Sequence, residues 1–144
     1  MNKFQQCVQF VFDREGRVYE DDPNDSGGGT KFGISHKSYP NVDIPNLTEQ
    51  QASDIYLRDY WTPLNCDSYE NRLALAIFDT GVNQGIGMAN TILHELLGNP
   101  FTAEQYLFHR LRHYINLCEA KPNLKVFLMD WVLRVVKLFE FKFQ

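Results

Sequence analysis

The sequence predicts an α+β fold, mostly α, in which a helical body is interrupted by one short β-hairpin. Apolar residues recur at three- and four-residue spacing over most of the 144-residue chain. Two capping boxes, Thr48-Glu49-Gln50-Gln51 and Thr102-Ala103-Glu104-Gln105, mark helix starts. Thr30, Phe32 and Ile34 alternate with Lys31, Gly33 and Ser35, which gives a strand or hairpin arm.

The elements follow in order. Phe4, Cys7, Val8, Val11 and Phe12 form one stripe of a first helix. Glu15 lies four residues past Val11, on the same stripe and at the helix end. A turn dense in Asp, Asn, Pro and Gly runs from Asp22 to Gly29 and leads into the hairpin. The first capping box opens a helix to about Tyr60. An apolar helix runs from Asn71 to about Gln84 and ends in Gly85; another covers Met88 to Leu97 and stops at Gly98. The second box opens a helix with Leu107, Leu111, Tyr114, Ile115 and Cys118 on one face, ending before Pro122. The last helix carries Leu124, Phe127, Leu128, Trp131, Val135 and Leu138 at helical spacing. No repeat, low-complexity tract or linker breaks the chain, so one domain over 1–144 is expected. A small β region beside a helical body leaves a cleft, with Glu15 at its wall.

Composition narrows the classes. Hydrophobic content of 44% with 14% aromatics is enough for one core. A net charge of -4 excludes a broad electrostatic footprint for nucleic acid. It also argues against simple charge attraction to an anionic surface. There is no charged segment followed by an apolar run at the N-terminus, so no classical signal peptide is expected, and no stable membrane insertion. Cys7, Cys66 and Cys118 are odd in number and lack paired spacing, which reads as free thiols made in a reducing cytoplasm. A monomer is expected.

The stretch from Glu15 to Ser35 carries the chemistry. A carboxyl at the apolar rim and at the negative end of a helix dipole favours the neutral acid. Glycosidic bond cleavage needs such a proton donor. Acidic residues in the exposed turn stay ionised, and one can act as base toward water. Asp25 is favoured because it lies just before the glycines and near Thr30, whose hydroxyl can hold that water. Asp22 precedes Pro23 and serves either the turn or the substrate. The glycines let a bulky substrate approach. On spacing alone, a solvated acidic turn after a helix is the plainer account.

Other constellations weigh less. His109 and His113 are four apart on one helix, but Arg110 stands where a metalloprotease has Glu, and no metal or other cofactor is expected. Asp22 to Gly27 matches the first half of a calcium loop, yet position twelve is Gly33 rather than Glu, so calcium stays a minor alternative. Gly27-Gly28-Gly29-Thr30-Lys31 has the wrong order for a phosphate loop. Asn83 reads as a helix C-cap or as a cleft amide for a sugar N-acetyl group. Tyr60, Trp61 and Tyr69 can offer faces to sugar rings, although scattered aromatics are commonly core. Trp131 reads as core. The basic residues of the last helix suggest a membrane surface, but Asp130 and Glu140 interrupt them, so a packed face is the simpler account.

Glu15-Gly16, Asp22-Pro23-Asn24-Asp25-Ser26-Gly27-Gly28-Gly29-Thr30 and Phe32-Gly33-Ile34 together resemble the N-terminal signature of the glycoside hydrolase family 108 lysozymes. Asp79-Thr80-Gly81-Val82-Asn83-Gln84-Gly85 with Leu96-Leu97-Gly98 resembles a second block. Arg112, Tyr114, Pro122, Phe127, Leu128, Trp131, Arg134 and Val135 resemble a third. The resemblance covers nearly the whole chain, and its first block is the specific one. It departs in one place: Gly16-Arg17-Val18 puts Tyr19 one position late, adding one residue between Glu15 and Asp22-Pro23. Residues 99–144 correspond to a short version of the family's C-terminal peptidoglycan-binding region.

The resemblance implies a lysozyme-like fold and a phage-type endolysin. It would cut the β-1,4 bond between N-acetylmuramic acid and N-acetylglucosamine, with Glu15, Asp25 and Thr30 catalytic and Asp22, Asn83 and Tyr60 binding substrate. Its partner is peptidoglycan. It would be made in the host cytoplasm and would act on the wall in the periplasm, with a holin or similar route for release. The alternatives are a lytic transglycosylase working through Glu15 alone, and a non-catalytic wall-binding helical protein.

Overall fold

The computed structural model describes residues 1–24 and 26–144. They form two compact units, Met1–Trp61 and Thr62–Gln144.

The first unit opens with α1 (Lys3–Glu15). Asn2 caps it: the Asn2 side chain accepts from the Gln5 amide and the Gln5 side chain accepts from the Asn2 amide, both at 2.8 Å. Its inner stripe of Cys7, Val8, Val11 and Phe12 is buried. The helix stops because Gly16 takes φ +90°, with its N–H bonded back to the Phe12 carbonyl at 2.9 Å. The hairpin pairs β1 (Thr30–Lys31) with β2 (Ile34–Ser35), antiparallel, Thr30 opposite Ser35 and Lys31 opposite Ile34. Glu20 adds a bridge to Thr30 through two backbone hydrogen bonds of 2.9 and 2.8 Å. Then α2 (Glu49–Tyr56) starts on its expected capping box and continues as a π-helical turn, Leu57–Trp61.

The second unit is helical. A 3₁₀ turn (Cys66–Ser68) precedes α3 (Asn71–Gln84), α4 (Ile86–Glu95), α5 (Ala103–Ala120), a second 3₁₀ segment (Pro122–Phe127) and α6 (Leu128–Glu140). The Glu70 carboxylate caps α3 by accepting from the Arg72 and Leu73 amides. Every residue of α3 from Leu73 to Gly81 is buried, because α4, α5 and α6 all pack on it. The last helix differs from the sequence expectation. Pro122 opens a 3₁₀ segment, and the α-helix begins only at Leu128.

Cys7, Cys66 and Cys118 are buried. No helix among the described residues is long and apolar enough to cross a membrane.

Candidate active site

Glu15 is the last residue of α1 and is half-buried. Its stem lies against the hairpin turn. A methyl group added at Gly33 would come within 2.8 Å of Glu15 Cγ, 2.9 Å of its Cβ and 2.7 Å of the Tyr56 hydroxyl oxygen. Only a residue without a side chain fits there, and φ of +77° demands the same.

The turn is unusual at Phe32, which holds φ +55°. Both central residues of this two-residue loop are left-handed, as a type I′ hairpin requires. A phenylalanine in that region costs about 1 kcal/mol or more. Tertiary contacts offset the strain. The Phe32 ring is buried 4.9 Å from the Phe12 ring, and the Tyr56 hydroxyl donates to the Phe32 carbonyl at 2.8 Å. Helix α1, helix α2 and the hairpin turn are thereby locked around the Glu15 stem.

The chain after Glu15 runs through an exposed arc. Arg17 turns back to α1 and α2, bonding Asp13 at 2.9 Å, Gln9 at 2.6 Å and Glu49 at 2.7 Å. Val18 is exposed. At Tyr19 the chain meets the hairpin: a Cβ at Gly29 would collide with the Tyr19 ring, and Glu20 pairs with Thr30. Thr30 is half-buried between two backbone partners, and its hydroxyl donates to the Gly28 carbonyl at 3.4 Å.

Asp22 is exposed and anchors the turn, its Oδ1 accepting from the Asn24 amide at 2.8 Å and from the Asn24 side chain at 3.1 Å. Asp25 lies outside the described residues. Tyr60 is half-buried on the π-helical turn, its ring 5.5 Å from that of Tyr56. Glu15, Gly33, Tyr56 and Tyr60 therefore form one contiguous set. A groove of about 460 Å³ between α1 and α2, lined by Phe4, Val8, Phe12, Glu49 and Asp54, does not include Glu15.

Trp61 is core rather than a sugar platform: it is buried, with the Phe4 ring edge-on at 5.2 Å.

Asn83 belongs to the second unit and has another setting. Its Oδ1 accepts from the Tyr114 hydroxyl at 2.7 Å and from Arg110 Nη2 at 3.2 Å. It does not cap the helix; Gly85 does, at φ +94°. The same Arg110 pairs with fully buried Asp79 at 2.7 Å, and Arg134 pairs with Asp79 at 2.8 Å. Burial pushes the Asp79 carboxyl up, but the two guanidinium groups outweigh it and hold it below the usual carboxylate range. Arg112, which the resemblance singles out, instead lies over the Phe108 ring at 5.8 Å. His109 Nδ1 and His113 Nε2 meet the two oxygens of Glu95 at 2.7 and 2.8 Å.

Sequence reading missed Gly33 and Tyr56 as the seat of Glu15, and Arg110 as the partner of Asp79. A signal for the latter existed. Asp79 closes the run Leu73 to Phe78, where an uncompensated charge is prohibitive, so a cation had to meet it.

The family model for glycosyl hydrolase 108 matches residues 8–85, more than half of the chain. The chain belongs to the glycosyl hydrolase 108 family. It is a glycoside hydrolase. The glycosyl hydrolase 108 segment runs from Val8 within α1 to Gly85, which ends α3, and so contains Glu15, the hairpin, Tyr56, Tyr60, Asp79 and Asn83. Arg110, Tyr114 and Arg134 lie beyond it. Among solved structures, the chain is similar to SagA of Brucella abortus, with a TM-score of 0.75 and 22% identity over 94% of this chain and 90% of that one. That likeness extends the lysozyme-like fold over nearly the whole chain. No curated protein sequence matches significantly.

Proposed function

We propose that this glycoside hydrolase cleaves peptidoglycan at the β-1,4 bond between N-acetylmuramic acid and N-acetylglucosamine, with Glu15 as general acid. The observation that carries the reading is the seat of Glu15, a half-buried carboxyl at a helix end with its stem clamped by Gly33 and Tyr56. Glu15 gives its proton to the glycosidic oxygen as the C1–O bond breaks, and the departing sugar leaves as an alcohol. A water attacks C1 from the opposite face and loses its proton to Asp25, while Thr30 holds that water. The product is a hemiacetal of inverted configuration. Such a route needs the two carboxyl groups roughly 6.5–9.5 Å apart. Tyr60 offers a ring face to the glycan, and Asp22 a carboxylate beside it. The enzyme acts on the wall after release from the cytoplasm.

The test is digestion of purified, outer-membrane-stripped cell walls with mass spectrometry of the fragments. Loss of turbidity with reducing ends that have gained one water supports the proposal. Products lighter by that water indicate transglycosylation through Glu15 alone and overturn the roles of Asp25 and Thr30. Sedimentation with walls that never clear indicates a binding module.

A further inference from the structure

Helix α6 is apolar on two sides. Its inner side carries Val135 and Leu138, both buried, and Trp131, stacked on Tyr114 at 4.9 Å. The outer side carries a second stripe. Met129 is 75% exposed, Leu133 47% and Val136 41%, and Val126, in the 3₁₀ segment before the helix, is 72% exposed. Within α6 the spacing of four and then three residues is that of a helix–helix seam. No soluble helix needs such a stripe for its own packing.

The charges around the stripe choose its occupant. Asp130 and Lys137 are seven residues apart, so they share one flank; Val132 and Phe139, also seven apart, share the other. Consider two copies of α6 laid antiparallel about a two-fold axis near Leu133. Equal flanks then fall on the same side. Asp130 of each copy faces Lys137 of the other, and the apolar flanks meet each other. A parallel pair would set the charged flank against Val132 and Phe139. A membrane suits the stripe less well. Arg134 turns inward to Asp79, Lys137 pairs with Glu140 at 2.6 Å, and the flank of Lys137 also carries the acidic Asp130. An anionic surface would find no continuous basic face.

With Phe139, which is also exposed, the stripe within α6 presents on the order of 400 Å² per copy. A symmetric pair buries about twice that, which fits a weak, concentration-dependent association.

We propose that α6 is a self-association face that joins two copies of this chain antiparallel, in place of the monomer expected from the sequence. The interface is isologous, centred near Leu133, with Asp130–Lys137 pairs on one flank.

Sedimentation velocity over a range of concentrations tests this. The wild-type chain should pass from its 16.8 kDa monomer mass to twice that value. Leu133→Asp should stay monomeric at every concentration while keeping its helical circular dichroism. Asp130→Lys alone should weaken the dimer at least about tenfold, as a like-charge contact does. Combining it with Lys137→Asp should restore the dimer. A wild-type chain that remains monomeric throughout overturns the proposal. So does a double charge swap no better than the single one. Vesicles of phosphatidylglycerol form the last arm: binding that Leu133→Asp abolishes, without any dimer in solution, would assign the stripe to a lipid surface instead.

Discussion

Each unit of this enzyme holds an acidic side chain on a helix packed by apolar neighbours, and the two are handled in opposite ways. In the helical unit, Asp79 sits in the middle of α3 with no exposure and is gripped by Arg110 and Arg134. In the hairpin unit, Glu15 sits at the end of α1, half-buried, with its stem walled by Gly33 and Tyr56. A carboxylate fixed between two guanidinium groups is committed to its charge and to its place. Glu15 stands at a helix end, with its stem against the hairpin turn. The contrast separates a residue that holds helices together from the one proposed as proton donor.

The contrast is broken most sharply at Asp79. Asp79→Ala leaves two buried or nearly buried arginines without their anion, and should destabilise the protein by about 3–5 kcal/mol. Denaturant unfolding measures it. The pH dependence has a definite sign. Because the folded Asp79 carboxyl lies below its ordinary range, its contribution is fully present above roughly pH 4 and is lost as pH falls through the folded value. Thermal midpoints of wild type and Asp79→Asn should therefore converge on acidification; parallel curves would remove Asp79 from acid stability.

Gly33→Ala comes next and acts on the other side of the comparison. The added methyl meets Glu15 and Tyr56 at a φ that alanine tolerates poorly. Displacing a catalytic group by about 1 Å can cost on the order of a hundredfold in rate. Wall-clearing activity should fall by that order, with a stability loss of about 1–2 kcal/mol. Activity near wild type would mean the turn does not position Glu15. Tyr56→Phe should be milder in its effect on activity. It leaves the Phe32 carbonyl without its donor and should cost about 1–3 kcal/mol in urea unfolding. The smallest effect is expected at Asp22→Ala, which removes an exposed turn hydrogen bond worth about 0.5–1.5 kcal/mol. A large drop in kcat with unchanged stability would instead make Asp22 part of the chemistry.

The helices were legible where local chemistry closes them. Thr48 with Gln51 and Thr102 with Gln105 form the reciprocal caps read from the sequence, and Gly85 ends α3 where a glycine should. Glu15 was legible for the same reason, as the terminal member of one helical stripe. What stayed hidden is nonlocal. Phe32 takes a left-handed conformation because Phe12 and Tyr56 hold it, and no local rule predicts that of phenylalanine. Tyr56 reaches the hairpin from 24 residues away. Arg110, rather than Arg112, meets Asp79 because only the actual phase of α5 against α3 decides which side chain points inward. The π-helical turn after Tyr56 likewise has no signature in Leu57–Trp61.

The division of labour between the two carboxyl groups is tested most directly by measuring wall clearing and unfolding stability side by side for Glu15→Gln and Asp79→Asn. Glu15→Gln keeps the shape but cannot donate a proton, so activity should fall at least about a hundredfold while stability stays within about 0.5 kcal/mol of wild type. Asp79→Asn should lose stability first, with its activity per folded molecule largely retained. A folded Glu15→Gln protein that clears walls at a near-normal rate would contradict the account.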